Sequence, residues 1–166
     1  KPLGDDTEKL VKTPIGTIAY IDGPYGAFSI DRAANAPGYV MIAGGIGITP
    51  ILSNLHAMQA RGDPRPVVLF YANSDWESVS FRDELDAMRH DLDLTLVHVL
   101  EDAPDDWNGE SGYLGGEVLE RHLPDESRNW PHYLCGPTAM TDAARDALRH
   151  RGVPAHLIES EVFEMV

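Results

Sequence analysis

From Gly38 onward, short apolar runs alternate with amphipathic stretches, the pattern of strand–helix–strand units that build a parallel sheet. The run YVMIAG, residues 39–44, reads as a first buried strand, with a helix following over about residues 50–60. VVLFYA, residues 67–72, predicts a second strand, and SFRDELDAMR, residues 80–89, places Phe81, Leu85 and Met88 at helical spacing. LTLVHVL, residues 94–100, predicts a third strand, followed by the polar excursion EDAPDDWNGESG, residues 101–112, and a short helix near residues 117–122. HYLCG, residues 132–136, predicts a fourth strand, residues 139–150 its helix, and the run at residues 155–163 a fifth strand. The expectation is an α/β fold, a doubly wound five-stranded parallel sheet over residues 36–166. The first 35 residues break this rhythm: TIAYID, residues 17–22, alternates like a strand of an antiparallel sheet, and GPYG, residues 23–26, follows as a turn. Residues 1–35 therefore predict the end of another domain, with the small residues and proline of residues 32–37 as the linker.

Composition narrows the function. Thirteen basic against 27 acidic residues give a net charge of −14, so a generic phosphate-tracking surface for DNA or RNA would work against long-range repulsion, and no nucleic-acid partner is expected. All three lysines fall within the first dozen residues and Asp outnumbers Glu, consistent with a salt-tolerant surface or with genomic base composition. No apolar run approaches the roughly 20 residues that cross a bilayer, and no signal-peptide pattern opens the sequence. The single cysteine, Cys135, excludes an internal disulfide and any multi-cysteine metal site in this chain, and points to a reducing compartment. The seven histidines are scattered without paired ligand spacing and the loop acids Glu101, Asp102, Asp105 and Asp106 read as solvated, so no metal is expected.

Two segments carry chemistry. AGGIGITP, residues 43–50, stands where a strand ends and a helix begins. Gly44, Gly45 and Gly47 allow a tight turn and close backbone approach, while the free N–H groups around Ile48 and Thr49 face an anion. Thr49 can cap the helix and Pro50 suits the first helical position, where its missing N–H costs nothing. The segment lacks the third glycine of G-x-G-x-x-G and the lysine of a Walker-type loop, yet it is built as a pyrophosphate cradle. YLCGPTAM, residues 133–140, is a second strand end opening into a helix, with Gly136, Pro137 and Met140 at the turn. In a doubly wound sheet both turns share the carboxyl edge, which points to one elongated ligand. Cys135 reads either as buried packing or as a thiolate favoured by the following helix N-terminus.

These segments resemble the C-terminal part of the ferredoxin–NADP⁺ reductase superfamily, especially its ferric-reductase and NADPH-oxidase-like branches. GPYG is similar to the motif that closes the flavin domain, AGGIGITP to the nucleotide-binding glycine motif and CGP, residues 135–137, to the motif near the nicotinamide. KPLGDDTEKL is similar to the segment facing the FAD pyrophosphate, which puts Gly4 and Thr7 on the FAD side together with Pro24, Tyr25 and Gly26. SEVF, residues 160–163, resembles the terminal acidic-x-aromatic pattern, with Phe163 beside the isoalloxazine. The family's Arg-x-Tyr-Ser/Thr flavin motif has no counterpart, so residues 1–30 read as the last piece of a flavin barrel. The resemblance implies an FAD-dependent NAD(P)H oxidoreductase of which this chain is the nucleotide-binding part, weak or inactive alone, with Cys135 and Phe163 at the nicotinamide–flavin junction. It implies location in the cytoplasm, or at the cytoplasmic face of a membrane if a transmembrane domain precedes it. The acceptor stays open among a haem, an iron–sulfur protein, a ferric chelate and oxygen.

Nucleotide choice falls after the second strand, where Asn73, Ser74 and Asp75 would meet the adenosine ribose. No Arg or Lys lies between Phe70 and Phe81, Asp75 and Glu77 repel a 2′-phosphate, and Asn73 or Asp75 can accept from a free 2′-hydroxyl, so NADH is favoured over NADPH. Arg82 is near enough in sequence to swing in, and Trp76 either stacks on adenine or caps the sheet edge. Two other readings remain: a cysteine-nucleophile hydrolase using Cys135 with His132 or His98 as base, and a non-catalytic module that senses NAD(H).

Overall fold

The protein is described from a computed structural model covering residues 9–10, 12–22 and 26–162. Strands β1 (Tyr39–Gly44), β2 (Val67–Asn73), β3 (Leu94–Leu100), β4 (Glu110–Ser111), β5 (His132–Gly136) and β6 (Ile158–Val162) form one parallel sheet in the order β4-β3-β2-β1-β5-β6. Helices α1 (Ile48–Arg61), α2 (Arg82–Met88), α3 (Gly116–His122) and α4 (Thr138–His150) connect them. The apolar runs become strands because every residue of β1 and β5 is buried, as a strand flanked on both sides and covered on both faces must be.

Alternate side chains feed two cores. Met41, Leu69, Tyr71 and Tyr133 pack with Ile51, Leu55 and Met58 of α1 and Leu85 of α2. Ile42, Phe70, Val97 and Leu134 pack with Leu119 of α3 and Ala144 and Leu148 of α4 on the opposite face. This is the doubly wound arrangement expected, and strand order reverses between β1 and β5, where such sheets leave a crevice at their carboxyl edge.

The sheet has six strands where five were expected. β4 is two residues long, too short to show any periodicity, and exists because Glu110 and Ser111 fall in register with Val99 and Leu100 while Gly112 N–H donates to the Leu100 carbonyl at 2.8 Å. The alternating segment at residues 17–22 is no strand: Ile18, Tyr20 and Ile21 are exposed, and no antiparallel neighbour among the described residues pairs with them. Residues 28–36 lie against the α1 face of the sheet, with a 3-10 turn at Ile30–Ala33 and Ile30 fully buried. Among the described residues no helix is long and apolar enough to cross a membrane.

Candidate functional site

β1 and β5 end side by side at the switch point. β1 runs into a 3-10 turn, Gly45–Gly47, and then α1, while β5 turns through Pro137 into α4. The two turns pack so closely that a Cβ on Gly47 would stand 2.0 Å from the Cys135 carbonyl oxygen and 2.5 Å from its carbon. Gly47 is thus required by backbone against backbone. Gly45 is different: its φ is +51° and nothing lies within 4 Å of a Cβ built there, so this is the glycine that turns the chain and leaves the approach open. The thioether of Met140 fills the space against Gly44 and Gly136 and ties the turns together.

Above this junction lies a cleft of about 600 Å³. Of the residues expected from the sequence, Gly44, Gly45, Asn73, Ser74, Pro137 and Met140 line it. Gly47, Ile48 and Gly136 are buried beneath it. Thr49 donates to the Ile46 carbonyl at 3.0 Å, so Gly47 takes the N-cap position and has no capping side chain. Pro50 is the third helical residue, a position whose N–H is also free of intrahelical demand. The Asp75 carboxylate accepts from the Ser78 N–H at 2.7 Å and closes its own loop outside the cleft lining. Gly26 is exposed with φ +109°, while Gly4, Thr7, Pro24, Tyr25 and Phe163 lie outside the described residues.

Sequence reasoning missed Ser78, Ser80, Glu101, Gly112, Tyr113 and Leu114, which form the far wall. Glu101 directly follows β3, and the rule that parallel sheets bind ligands beyond their strand ends would have found it. Tyr113, 79% exposed at the rim, follows a strand too short to predict. Among the described residues no Lys or Arg lines the cleft, and Glu101 is its single carboxylate.

The electrostatics are selective. In a chain of net charge −14, the first turns of α1 and α4 carry no acidic residue and neither helix has a side-chain cap, whereas α2 opens on Asp83 and Glu84 and α3 on Glu117. The two longest helices, of 14 and 13 residues, therefore present N-termini without a capping side chain, and the positive ends of their dipoles, at the same edge.

Trp76 does not project as a free stacking surface. Its ring meets Trp107 at 5.1 Å and His98 at 5.2 Å between centroids, and the Arg82 guanidinium lies 4.9 Å over it, which also occupies the cation considered for a 2′-phosphate.

The hydrolase reading fails on geometry. Cys135 is buried on the α1 face of the sheet, away from α4, and burial, followed by the Glu161 carboxylate, raises its thiol to about 11. His132, three residues earlier on the same strand, points to the opposite face, and His98 on β3 is three strand spacings away, roughly 14 Å. Roughly one thiol in ten thousand is ionised at pH 7 under such a shift. Iodoacetamide is accordingly expected to modify Cys135 at neutral pH far more slowly than glutathione, with the rate rising steeply on unfolding. Rapid labelling of the folded protein would refute that burial.

The family model of the oxidoreductase NAD-binding domain matches residues 41–146. The chain belongs to that family. It is 31% identical to NADH-cytochrome b5 reductase 1 of Aspergillus terreus, across 98% of the chain and 58% of that relative. Its structure resembles the cytochrome b5 reductase domain of Ulva prolifera nitrate reductase, with TM-score 0.70 and 25% identity over 76% of this chain and 49% of that one. It also resembles the cytochrome P450 reductase GcoB of Amycolatopsis, with TM-score 0.72 and 26% identity over 90% of this chain and 46% of that one. The NAD-binding domain thus spans about half the length of the proteins it matches, and the ferredoxin-reductase-like fold expected from its glycine motifs stands.

Proposed function

We propose that this domain holds NADH along its carboxyl edge and orients the nicotinamide toward a flavin carried by an upstream unit, from which electrons pass to a haem-bearing acceptor. The observation that carries the reading is the pair of uncapped, acid-free N-termini of α1 and α4 flanking one cleft in an otherwise acidic molecule. They fit a pyrophosphate, whose charge the rest of the surface repels. The adenosine half fits the wall formed by Asn73, Ser74, Ser78, Glu101 and Tyr113. Asn73 has an amide nitrogen that is buried and has no hydrogen-bond partner among the described residues, a partner that a ribose oxygen would supply after a small shift.

Bound NADH supplies the hydride, and the chain contributes orientation and exclusion of water. Met140, Pro137 and the apolar floor at Gly44 offer no group that exchanges protons, and the neutral, buried Cys135 acts as packing beneath them. The lack of a Lys or Arg among the described lining residues and the presence of Glu101 favour NADH over NADPH. Relatives named for cytochrome b5 and cytochrome P450 favour a haem protein over an iron–sulfur protein, a ferric chelate or oxygen.

Calorimetric titration of the domain and of the full-length protein with NADH and NADPH at matched salt tests this reading. NADH is expected to bind at least about tenfold more tightly, the difference of about 1.4 kcal/mol that one repelled phosphate readily produces. Equal or tighter binding of NADPH overturns the cofactor choice, and no binding of either to the full-length protein overturns the function.

A further inference from the structure

The most heavily polar part of this core lies away from the cleft, on the α1 face, and all of it converges on residues 28–36. Asn54 is 5% exposed among the apolar residues of α1, yet its Oδ1 accepts from the Ile30 N–H at 3.2 Å and its Nδ2 donates to the Phe28 carbonyl at 3.4 Å. The buried Tyr133 hydroxyl donates to the Ser29 carbonyl at 3.1 Å, and the Tyr39 hydroxyl to the Ala33 carbonyl at 3.1 Å. Arg65, held by the buried Asp63 and stacked 4.8 Å over the Tyr39 ring, donates to the Ala34 carbonyl at 2.8 Å. The Phe28 ring meets Tyr133 edge-on at 5.2 Å. Burying an amide, two phenols and an ion pair to grip one short segment is costly unless each finds its partner, and here each does.

The grip is built on the same elements as the cleft. Tyr133 stands two residues before Cys135 on β5, Tyr39 opens β1, and Asn54 lies on α1 within two turns of its N-terminus. Whatever lies upstream of Phe28 is therefore referenced to the ends of β1 and β5 through rigid structure. The chain just before the gripped segment exposes Ile15, Ile18, Tyr20 and Ile21, an apolar stretch that a neighbouring unit would cover.

We propose that Asn54, Tyr133 and Tyr39 are positioning residues for hydride transfer: they hold residues 28–33 as a rigid strap that fixes the distance between the upstream redox unit and the nicotinamide end of the cleft. This rests on the nucleotide reading above. Displacement of reacting groups by about an ångström costs rate by factors of ten to a hundred without loosening ligand binding.

The test uses the full-length protein, anaerobic stopped flow and NADH, with Tyr133→Phe and Asn54→Leu singly and together. Both substitutions keep the outline of the side chain and remove its hydrogen bonds to residues 28–30. The limiting rate of flavin reduction is expected to fall about tenfold or more in the double variant, with a larger primary isotope effect from deuterated NADH, while the NADH dissociation constant stays within about twofold. A limiting rate within about twofold of the parent overturns the proposal, as does a fall in which affinity weakens by the same factor. Wild-type protein whose flavin is not reduced by NADH removes the proposed function itself, and the positioning role with it.

Discussion

Gly47→Ala is expected to destabilise the domain by about 3 kcal/mol or more, whereas Gly45→Asp leaves it folded and unable to bind NADH. The two positions sit in one turn and look alike in sequence. A methyl on Gly47 meets the Cys135 carbonyl at 2.0 Å, and neither side can yield. Cys135 is locked into β5, which is paired to β1 through Ala43 and to β6 through Glu161. Moving it would break ladders on both sides. At Gly45 a side chain enters open space, and the only penalty is the positive φ, about 1 kcal/mol and least for Asp or Asn. That strain lowers the thermal midpoint by about 2–4 °C in a domain of this size. The new carboxylate, however, stands beside the uncapped N-terminus of α1, where on the proposed reading it competes with the pyrophosphate. Circular dichroism melts and NADH titration of both variants check the pair. A stable Gly47→Ala protein would refute the contact argument, and Gly45→Asp binding NADH as the parent does would mean that the pyrophosphate lies elsewhere.

The contrast shows what the sequence could and could not say. Five strands, their order of appearance and the glycine-rich strand-to-helix turn at residues 43–50 were legible because continuous apolar runs and glycine-rich strand ends are local signals. The reason for Gly47 was not, since it depends on a carbonyl 88 positions away. The far wall of the cleft was hidden for a similar reason: residues 101–114 carry the acidity of a solvated loop, and only the register of a two-residue strand brings Tyr113 and Leu114 to the rim. Asn73 and Ser74 line the cleft, whereas the next residue, Asp75, closes its own loop on Ser78, a local turn that composition does not reveal. Residues 32–37 read as a small-residue linker, and the hold on residues 28–34 was not legible because its partners, Asn54, Arg65 and Tyr133, are distant in sequence.

A second large effect is expected from acid. His132 is fully buried at the start of β5, its Nδ1–H donates to the Trp130 carbonyl at 2.8 Å, and its Nε2 has no partner among the described residues. Burial, opposed by that hydrogen bond and reinforced by the nearby Arg151, lowers its pKa to about 4. In the unfolded chain the imidazole titrates near 6.5, so between 6.5 and 4 the unfolded state binds the proton and the folded state refuses it. The associated stability is complete above about pH 6.5 and is lost progressively as pH falls toward 4, on the order of 3 kcal/mol in all and about 2 by pH 5. His132→Gln keeps a donor for the Trp130 carbonyl and removes the titration. Urea unfolding at pH 7.5 and pH 5 is expected to show the parent losing about 2 kcal/mol more than the variant between the two conditions. Parallel losses would assign the acid sensitivity to other groups. Glu110 cannot mimic the effect, because its carboxylate, held at about 2 chiefly by Arg121, loses its contribution only as pH falls from about 4.5 toward 2.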